Sequence, residues 1–447
     1  MSQAADAPPR PPVGPGAPSG GAHALTETFL AAVLVVLAAG SLWARFHAPS
    51  PGMDFYQFWI AGHALAASGD ADLYSSDGRA TLAALGDELA ARPEADGRLR
   101  AAVTTRTHIE TFSTPFFYWS FALLETDRYD RDFTWHGMAS LLAACGATLF
   151  LALSTGWRPS RALLLLAVVL LGCKPLLSDF QVGNVAAFQL GLVAICLALL
   201  RLRESRLSTF GAGAVAAIAV MLKPNLAPAL ALPALVRGVQ RQWAGCAAYT
   251  AGSAAGALVV IAGTAAAAGS LQPWVRWLAA VRHLESGSDL SVQTGNVSLA
   301  RFVTDLGGPN LSPLLLAAGI AVIVWAVAGS RRSVTSFRDD VLFVGLGSAV
   351  VLAGSRLSWL HYHVLLLPVV AVVLSPEAIP KTMGRASLLL AGLVFWLGAP
   401  LDVLRWGGPA LPAIESFVAV VLISVAGLHV LRTAPAREPV LTRGEAR

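Results

Sequence analysis

The run Phe29-Leu30-Ala31-Ala32-Val33-Leu34-Val35-Val36-Leu37-Ala38-Ala39-Gly40-Ser41-Leu42-Trp43-Ala44 carries no charge and is closed by Arg45. At 1.5 Å per residue a helix of this length covers most of the ~30 Å hydrocarbon core of a bilayer. It reads as a first membrane helix. The rest of the chain repeats the pattern. Of 447 residues, 55% are apolar and 13% are charged, and the mean hydropathy is +0.62. A water-soluble domain of this size could not hide so much apolar surface. The composition excludes a cytosolic enzyme, a nucleic-acid-binding domain and a disordered protein. The basic residues sit in short loops between apolar runs, so no nucleic-acid partner is expected. The partners expected from composition are membrane lipids.

Further apolar runs fall at about 133–153, 162–173, 185–200, 210–222, 226–236, 244–268, 313–328, 341–353, 364–374, 387–401 and 411–431. The expected fold is therefore all-α and polytopic, with about 10–12 transmembrane or re-entrant helices, since several runs are shorter than a full span. Residues 1–24 are rich in Pro, Gly and Ala and predict a disordered tail. A signal peptide is not expected, because the first apolar run starts late and lacks a basic stretch before it. Segment 46–132 is polar, with 13 acidic residues, and predicts a loop of short surface helices at 54–67 and 81–91. Its apolar piece 116–124 is too short to span. The membrane domain is placed at 25–431, with loops 46–132 and 269–312 on the outer face and a second tail at 432–447.

Alternate connections carry sixteen basic residues against six acidic ones. By the positive-inside rule these are cytoplasmic, as are both termini. The opposite face then collects the unusual polar residues. Asp54 stands alone among aromatics in Met53-Asp54-Phe55-Tyr56-Gln57-Phe58-Trp59. It reads either as a general base or as the cap of a helix opening at Phe55. Lys223-Pro224 and Lys174-Pro175 use two of the chain's three lysines. A lysine there suits a lipid phosphate, or snorkels from a helix end. Gln181 and Asn184 lie in a turn before a helix, as sugar ligands or, for Asn184, as its cap. Arg356 is a candidate anion ligand in Ser355-Arg356-Leu357-Ser358-Trp359-Leu360-His361-Tyr362-His363. His361 and His363, two apart, do not share a helical face.

Asn296-Val297-Ser298 fits the N-glycosylation pattern, a frequent chance match. The four cysteines lie in or at the ends of apolar runs with no CxxC pair, so neither a disulfide framework nor a zinc site is expected. Nucleotide fingerprints, phosphate-binding glycine loops and metal motifs are absent from the sequence, and no metal or cofactor is expected.

Taken together, several segments resemble glycosyltransferase family 87, the α-mannosyltransferase-like group of the GT-C class. They are Asp54-Phe55-Tyr56-Gln57-Phe58-Trp59-Ile60-Ala61-Gly62 with Asp72-Leu73-Tyr74, then Thr114-Pro115-Phe116-Phe117-Tyr118, Gln181-Val182-Gly183-Asn184, Leu222-Lys223-Pro224, Asn296-Val297-Ser298-Leu299 and Ser358-Trp359-Leu360-His361-Tyr362. They occur in the family's order over roughly 29–375. Segment 79–106 departs from the family's pattern in being longer and more polar. The resemblance implies a GT-C-like fold and a polyprenyl-phosphate sugar as donor. It also implies inverting transfer of mannose or another sugar, on the outer face of a bacterial plasma membrane, to a glycolipid or polysaccharide acceptor. Asp54 matches the family's acidic position and is the expected base, with His361 assisting it or holding the phosphate. Lys223 and Arg356 are expected at the donor phosphate, and Gln181, Asn184, Tyr56 and Trp59 at sugar or acceptor. The alternative is a polytopic transporter or lipid flippase, which predicts matching repeats in two halves. None is visible.

Overall fold

The structure is a computed structural model. It describes residues 20–47, 50–202, 205–283, 296–329, 336–376, 378, 383–397 and 410–433. The helices run α1 Gly20–His47, α2 Met53–Ser68, α3 Ser76–Ala91, α4 Gly97–Thr105, α5 Pro115–Ala122, α6 Tyr129–Ser154, α7 Pro159–Gly172, α8 Lys174–Val182, α9 Ala186–Arg201 and α10 Arg206–Leu222. A 3₁₀ turn at Pro224–Leu226 leads into α11 Ala227–Val239, α12 Trp243–Ala267, α13 Gln272–His283, α14 Leu299–Asp305, α15 Ser312–Gly329 and α16 Phe337–Gly354. A 3₁₀ segment Leu360–Leu366 precedes α17 Leu367–Val373, α18 Met383–Leu397 and α19 Ala410–Thr433. Among the described residues the chain is all-α, with an isolated antiparallel bridge between Asn296 and Trp359.

Five helices are long and apolar enough to cross a membrane: α1, α6, α12, α15 and α19. A sixth span results if α7 and α8, bent by 57° at Cys173, count as one. The bend follows from Pro175, which cannot continue the hydrogen-bond ladder of α7. Shorter apolar helices, α9, α10 and the Leu360–Val373 segment, lie among them. On α1, Phe29, Leu30, Val36 and Leu37 point outward, as do Leu258 and Val259 on α12. Surfaces of this kind belong against lipid. The chain is a multi-pass membrane protein. α1 opens at Gly20, inside the segment expected to be a disordered tail; residues 1–19 and 434–447 lie outside the described residues.

Small residues let the inner helices approach. A Cβ on Gly252 would stand 1.9 Å from the Phe210 carbonyl oxygen, and one on Gly213 would stand 2.0 Å from that of Tyr249. Nothing larger than glycine fits where α10 crosses α12, the backbone-to-backbone packing that membrane helices use. Arg237, counted above as a cytoplasmic loop charge, is instead buried at the end of α11, 3.0 Å from Asp340 on α16. An isolated charge would be too costly at such a place, and the pairing offsets that cost.

Segment 46–132 folds into the helical layer α2–α5. Helices α2 and α3 bracket the expected pieces. The apolar stretch 116–124 becomes α5, capped by Thr114, whose side chain accepts the Phe117 N–H. The Thr114 hydroxyl also donates to the Met221 carbonyl at the end of α10. This pins the polar layer to the membrane helices two residues before Lys223. In the turn between α5 and α6, Glu125 takes a hydrogen bond from His63 that raises the imidazole above its ordinary pKa. Asn296-Val297-Ser298 is no acceptor for a glycan. Asn296 is fully buried; its Nδ2 donates to the Arg356 carbonyl at 2.8 Å, and its Oδ1 accepts the N–H of Ser358 at 3.0 Å. This clamp fixes the segment that leads to His361.

Candidate functional site

Asp54 sits in the first turn of α2. The cap position is Gly52, with φ 69, and it makes no side-chain cap bond. The cap reading of Asp54 therefore fails, although the carboxylate still lies where the helix dipole favours negative charge. Its Oδ2 accepts a hydrogen bond from Asn184 Nδ2 at 2.6 Å. Asn184 Oδ1 in turn accepts from Lys223 Nζ at 2.8 Å, and the same ammonium donates to the Tyr362 hydroxyl at 3.0 Å. Lys223 also lies over two rings, 5.5 Å from the Phe58 centroid and 5.0 Å from that of Tyr362. A carboxylate and an ammonium are thus held apart by one carboxamide, from segments 130 and 39 positions distant along the chain.

Asn184 bridges while another residue caps most of the α9 start; the Asn184 Oδ1 also accepts the Val185 N–H at 2.7 Å. Asp179 is buried, and its carboxylate accepts the N–H groups of Ala186 at 3.0 Å and Ala187 at 3.1 Å. The sequence reading gave that cap to Asn184. The chain between them turns at Gly183, with φ 68, where a Cβ would lie 2.5 Å from Cβ of Phe55. Both the backbone angle and the space demand glycine. The Asn184 carbonyl accepts from His136 Nε2 at 2.9 Å. Lys223 is fixed similarly from behind: Gln189 Nε2 donates to Asn225 Oδ1 at 3.0 Å, holding the turn that Pro224 opens.

The other expected site residues divide. His361 is buried beside Tyr362, ring centroids 4.5 Å apart, and its Nε2 has no hydrogen-bond partner among the described residues. Arg356 precedes this segment, and its carbonyl is held by Asn296. Gln181 is exposed, with its backbone carbonyl held by Ser50. Tyr56 and Trp59 are not brought to the cluster. Tyr56 is packed so tightly against α3 that a Cβ on Gly86 would meet its hydroxyl at 1.9 Å. Burial pushes its pKa up to about 12, with Asp87 adding to the shift. Trp59 is buried and donates to Asp132 at 3.0 Å. Helix geometry accounts for this: from Asp54, positions 56 and 59 turn away, whereas Phe58, four residues on, shares its face. Phe58 and Tyr362 are the site members that the sequence reading did not nominate. The four-residue spacing was the available signal for Phe58. Tyr362 stood inside a quoted motif but had no signal of its own.

A cavity of about 910 Å³ lies between α2, α5, α6, α9 and α10. Phe55, Val185 and Leu222, the chain neighbours of Asp54, Asn184 and Lys223, line it. Its wall is otherwise mostly apolar, with Phe117, Phe121, Trp135 and Phe188 among the rings.

With this geometry in view, a family model for glycosyltransferase family 87 matches residues 114–360, more than half of the chain. The chain belongs to glycosyltransferase family 87. The match to family 87 takes in Thr114, Asn184, Lys223 and the Asn296 clamp. It begins after Asp54 and ends one residue before His361. No curated protein and no solved structure matches the chain. Membership of family 87 makes it a membrane glycosyltransferase and sets aside the transporter reading.

Proposed function

We propose that this glycosyltransferase moves a sugar, mannose or another hexose or pentose, from a polyprenyl-phosphate donor to a glycolipid or polysaccharide acceptor, with inversion, on the outer face of the plasma membrane. The observation that carries the reading is the hydrogen-bonded chain Asp54–Asn184–Lys223–Tyr362. In a single displacement the acceptor oxygen attacks the anomeric carbon and its proton passes to a base. The bond from that carbon to the phosphate oxygen breaks on the opposite side. Asp54 has the base's chemistry: one oxygen is held by Asn184, and the other has no partner among the described residues. Lys223 has the leaving group's: two of three ammonium protons are engaged, and the third is left for a phosphate oxygen, where charge grows as the bond breaks. His361 offers its unused ring nitrogen next to Tyr362 as a second phosphate ligand, with Arg356 close by in sequence. Gln181, and the amide of Asn184 once a ligand displaces one of its bonds, are assigned to sugar hydroxyls. The adjoining cavity is of small-ligand size and apolar, as a lipid-linked substrate requires.

Asp54→Asn tests the base. Asparagine keeps the shape and still accepts from Asn184, so the protein should fold and bind donor. Transfer should fall by about 10²–10⁴-fold, the usual contribution of a general base. Purified Asp54→Asn enzyme with full transfer activity, measured with lipid-linked donor and acceptor, would take Asp54 out of the chemistry.

A further inference from the structure

A second cluster of ligating side chains lies away from Asp54. His63, on α2, is nine residues further along the helix, about 14 Å at 1.5 Å per residue. Its Nδ1 stands 2.7 Å from Glu125 Oε1 and 3.3 Å from Asp127 Oδ1 in the turn between α5 and α6. The three ligand atoms all lie within 4.8 Å of one another. No spacing pattern marks the set, since His63 and Glu125 are 62 positions apart.

The turn is held by other groups. Asp132 accepts the Thr126 N–H at 2.9 Å and the Trp59 indole N–H at 3.0 Å. The Trp59 ring stacks on His63 with centroids 5.3 Å apart and fixes the imidazole plane. Asp127 adopts φ 60, a region that few side-chain-bearing residues enter. Asp132 thus holds the turn together with Glu125, whose Oε1 accepts the Asp127 N–H at 2.8 Å, and the side chains of Glu125 and Asp127 converge on one imidazole. The Glu125 side chain is nearly buried, whereas that of Asp127 opens to water, so the three groups form a site with one solvent-facing ligand. Arg92, the basic residue within electrostatic reach of His63, is paired with Glu88 at 2.9 Å.

We infer that His63, Glu125 and Asp127 bind a divalent cation of the zinc type. A dication balances both carboxylates. One imidazole nitrogen with two carboxylate oxygens is a three-ligand set for zinc, with a fourth position open to water. Zinc–ligand bonds of about 2.0–2.2 Å in tetrahedral geometry separate ligand atoms by roughly 3.4 Å. The His63–Asp127 gap of 3.3 Å already meets this, and Glu125 would part from His63 by about 0.7 Å to open its 2.7 Å contact. The cation would tie α2 to the α5–α6 turn at the rim of the apolar cavity, where Glu125, Thr126 and Trp59 all line the wall.

The test uses the full chain, purified without a histidine tag, stripped with chelator and titrated with zinc chloride near neutral pH by calorimetry. One zinc ion should bind per chain. His63→Gln and Glu125→Gln should each weaken binding at least about tenfold, while magnesium at the same concentration should not compete. Tryptophan emission should change on zinc addition in the wild type and much less in Trp59→Phe, which reports binding at this ring. If His63→Gln fails to fold, Asp127→Asn, on an exposed side chain, serves in its place. Absence of saturable binding, or one-to-one binding that survives these substitutions, overturns the proposal and leaves a protonated His63–Glu125 bridge only.

Discussion

Lys223 donates to Asn184 and Tyr362 and faces the rings of Phe58 and Tyr362, so it is placed by three residues from three parts of the chain. A snorkelling lysine would extend toward water, and this one is turned inward toward Asp54. This inward geometry does not fit a snorkelling side chain. A charge-assisted hydrogen bond contributes about 1.5–3 kcal/mol, roughly ten- to a hundredfold in a rate or binding constant. Lys223→Ala should raise the KM for the lipid donor by about that factor. Lys223→Arg should restore part of it, because the planar guanidinium keeps the charge but not the shape. Steady-state kinetics against donor concentration check both. Unchanged donor kinetics in Lys223→Ala would return the residue to a packing role.

At the scale of the element, the turn between α8 and α9 shows a cap supplied by a residue that the local sequence rule does not pick. A polar residue just before a helix usually caps it, and on that rule Asn184 was read as a cap, with a sugar ligand as the other reading. The helix takes its cap from Asp179, five positions earlier, by way of the left-handed bend at Gly183. Bond patterns of that kind depend on tertiary closure and leave no local mark. The opposite error occurred in α2, where the aromatics Tyr56 and Trp59 were nominated by type, although the helical repeat turns them from Asp54. What was legible were residues that oppose their surroundings: a lone acid among rings, and a scarce lysine before proline. The two roles predict different phenotypes. Asp179→Ala leaves two buried N–H groups of α9 without acceptor and should cost about 1–3 kcal/mol of stability. This would be seen as a lower thermal unfolding midpoint in detergent. Asn184→Ala orphans one N–H, that of Val185, and should lower that midpoint less, while transfer falls at least about tenfold, since Asp54 and Lys223 lose the amide that sets their spacing. A stable, inactive Asp179→Ala protein paired with an unstable, active Asn184→Ala protein would reverse the assignment.

At the scale of the whole molecule, the apolar periodicity was sufficient for an all-helical membrane chain, but not for which short runs span. Length alone admits α1, α6, α12, α15 and α19, and the bent α7–α8 pair depends on a proline. Sidedness rests on charge, and the structure refines the count. Arg237 and Asp340 neutralise each other in the interior, so neither biases insertion from a loop. Removing both leaves fifteen basic against five acidic residues on the side assigned to the cytoplasm. The asymmetry survives, and it is the basic residues that set orientation. The same assignment put Asp54, Lys223 and His361 on one side, and these segments do meet in the fold, as residues on opposite sides of a bilayer could not. Ser76, exposed at the start of α3 in the layer that contains Asp54, therefore reports the face of the site. Ser333 lies outside the described residues, in the basic connection between α15 and α16. In a cysteine-free background, a single cysteine at position 76 should react with an impermeant maleimide in intact cells. One at position 333 should react only after permeabilisation. Labelling in the reverse order would turn the charge argument over and place glycosyl transfer on the cytoplasmic face, where a nucleotide-activated donor would be within reach. A donor linked to polyprenyl phosphate needs Asp54 and Lys223 on the far side, and so the orientation of this one layer bears directly on the chemistry proposed for it.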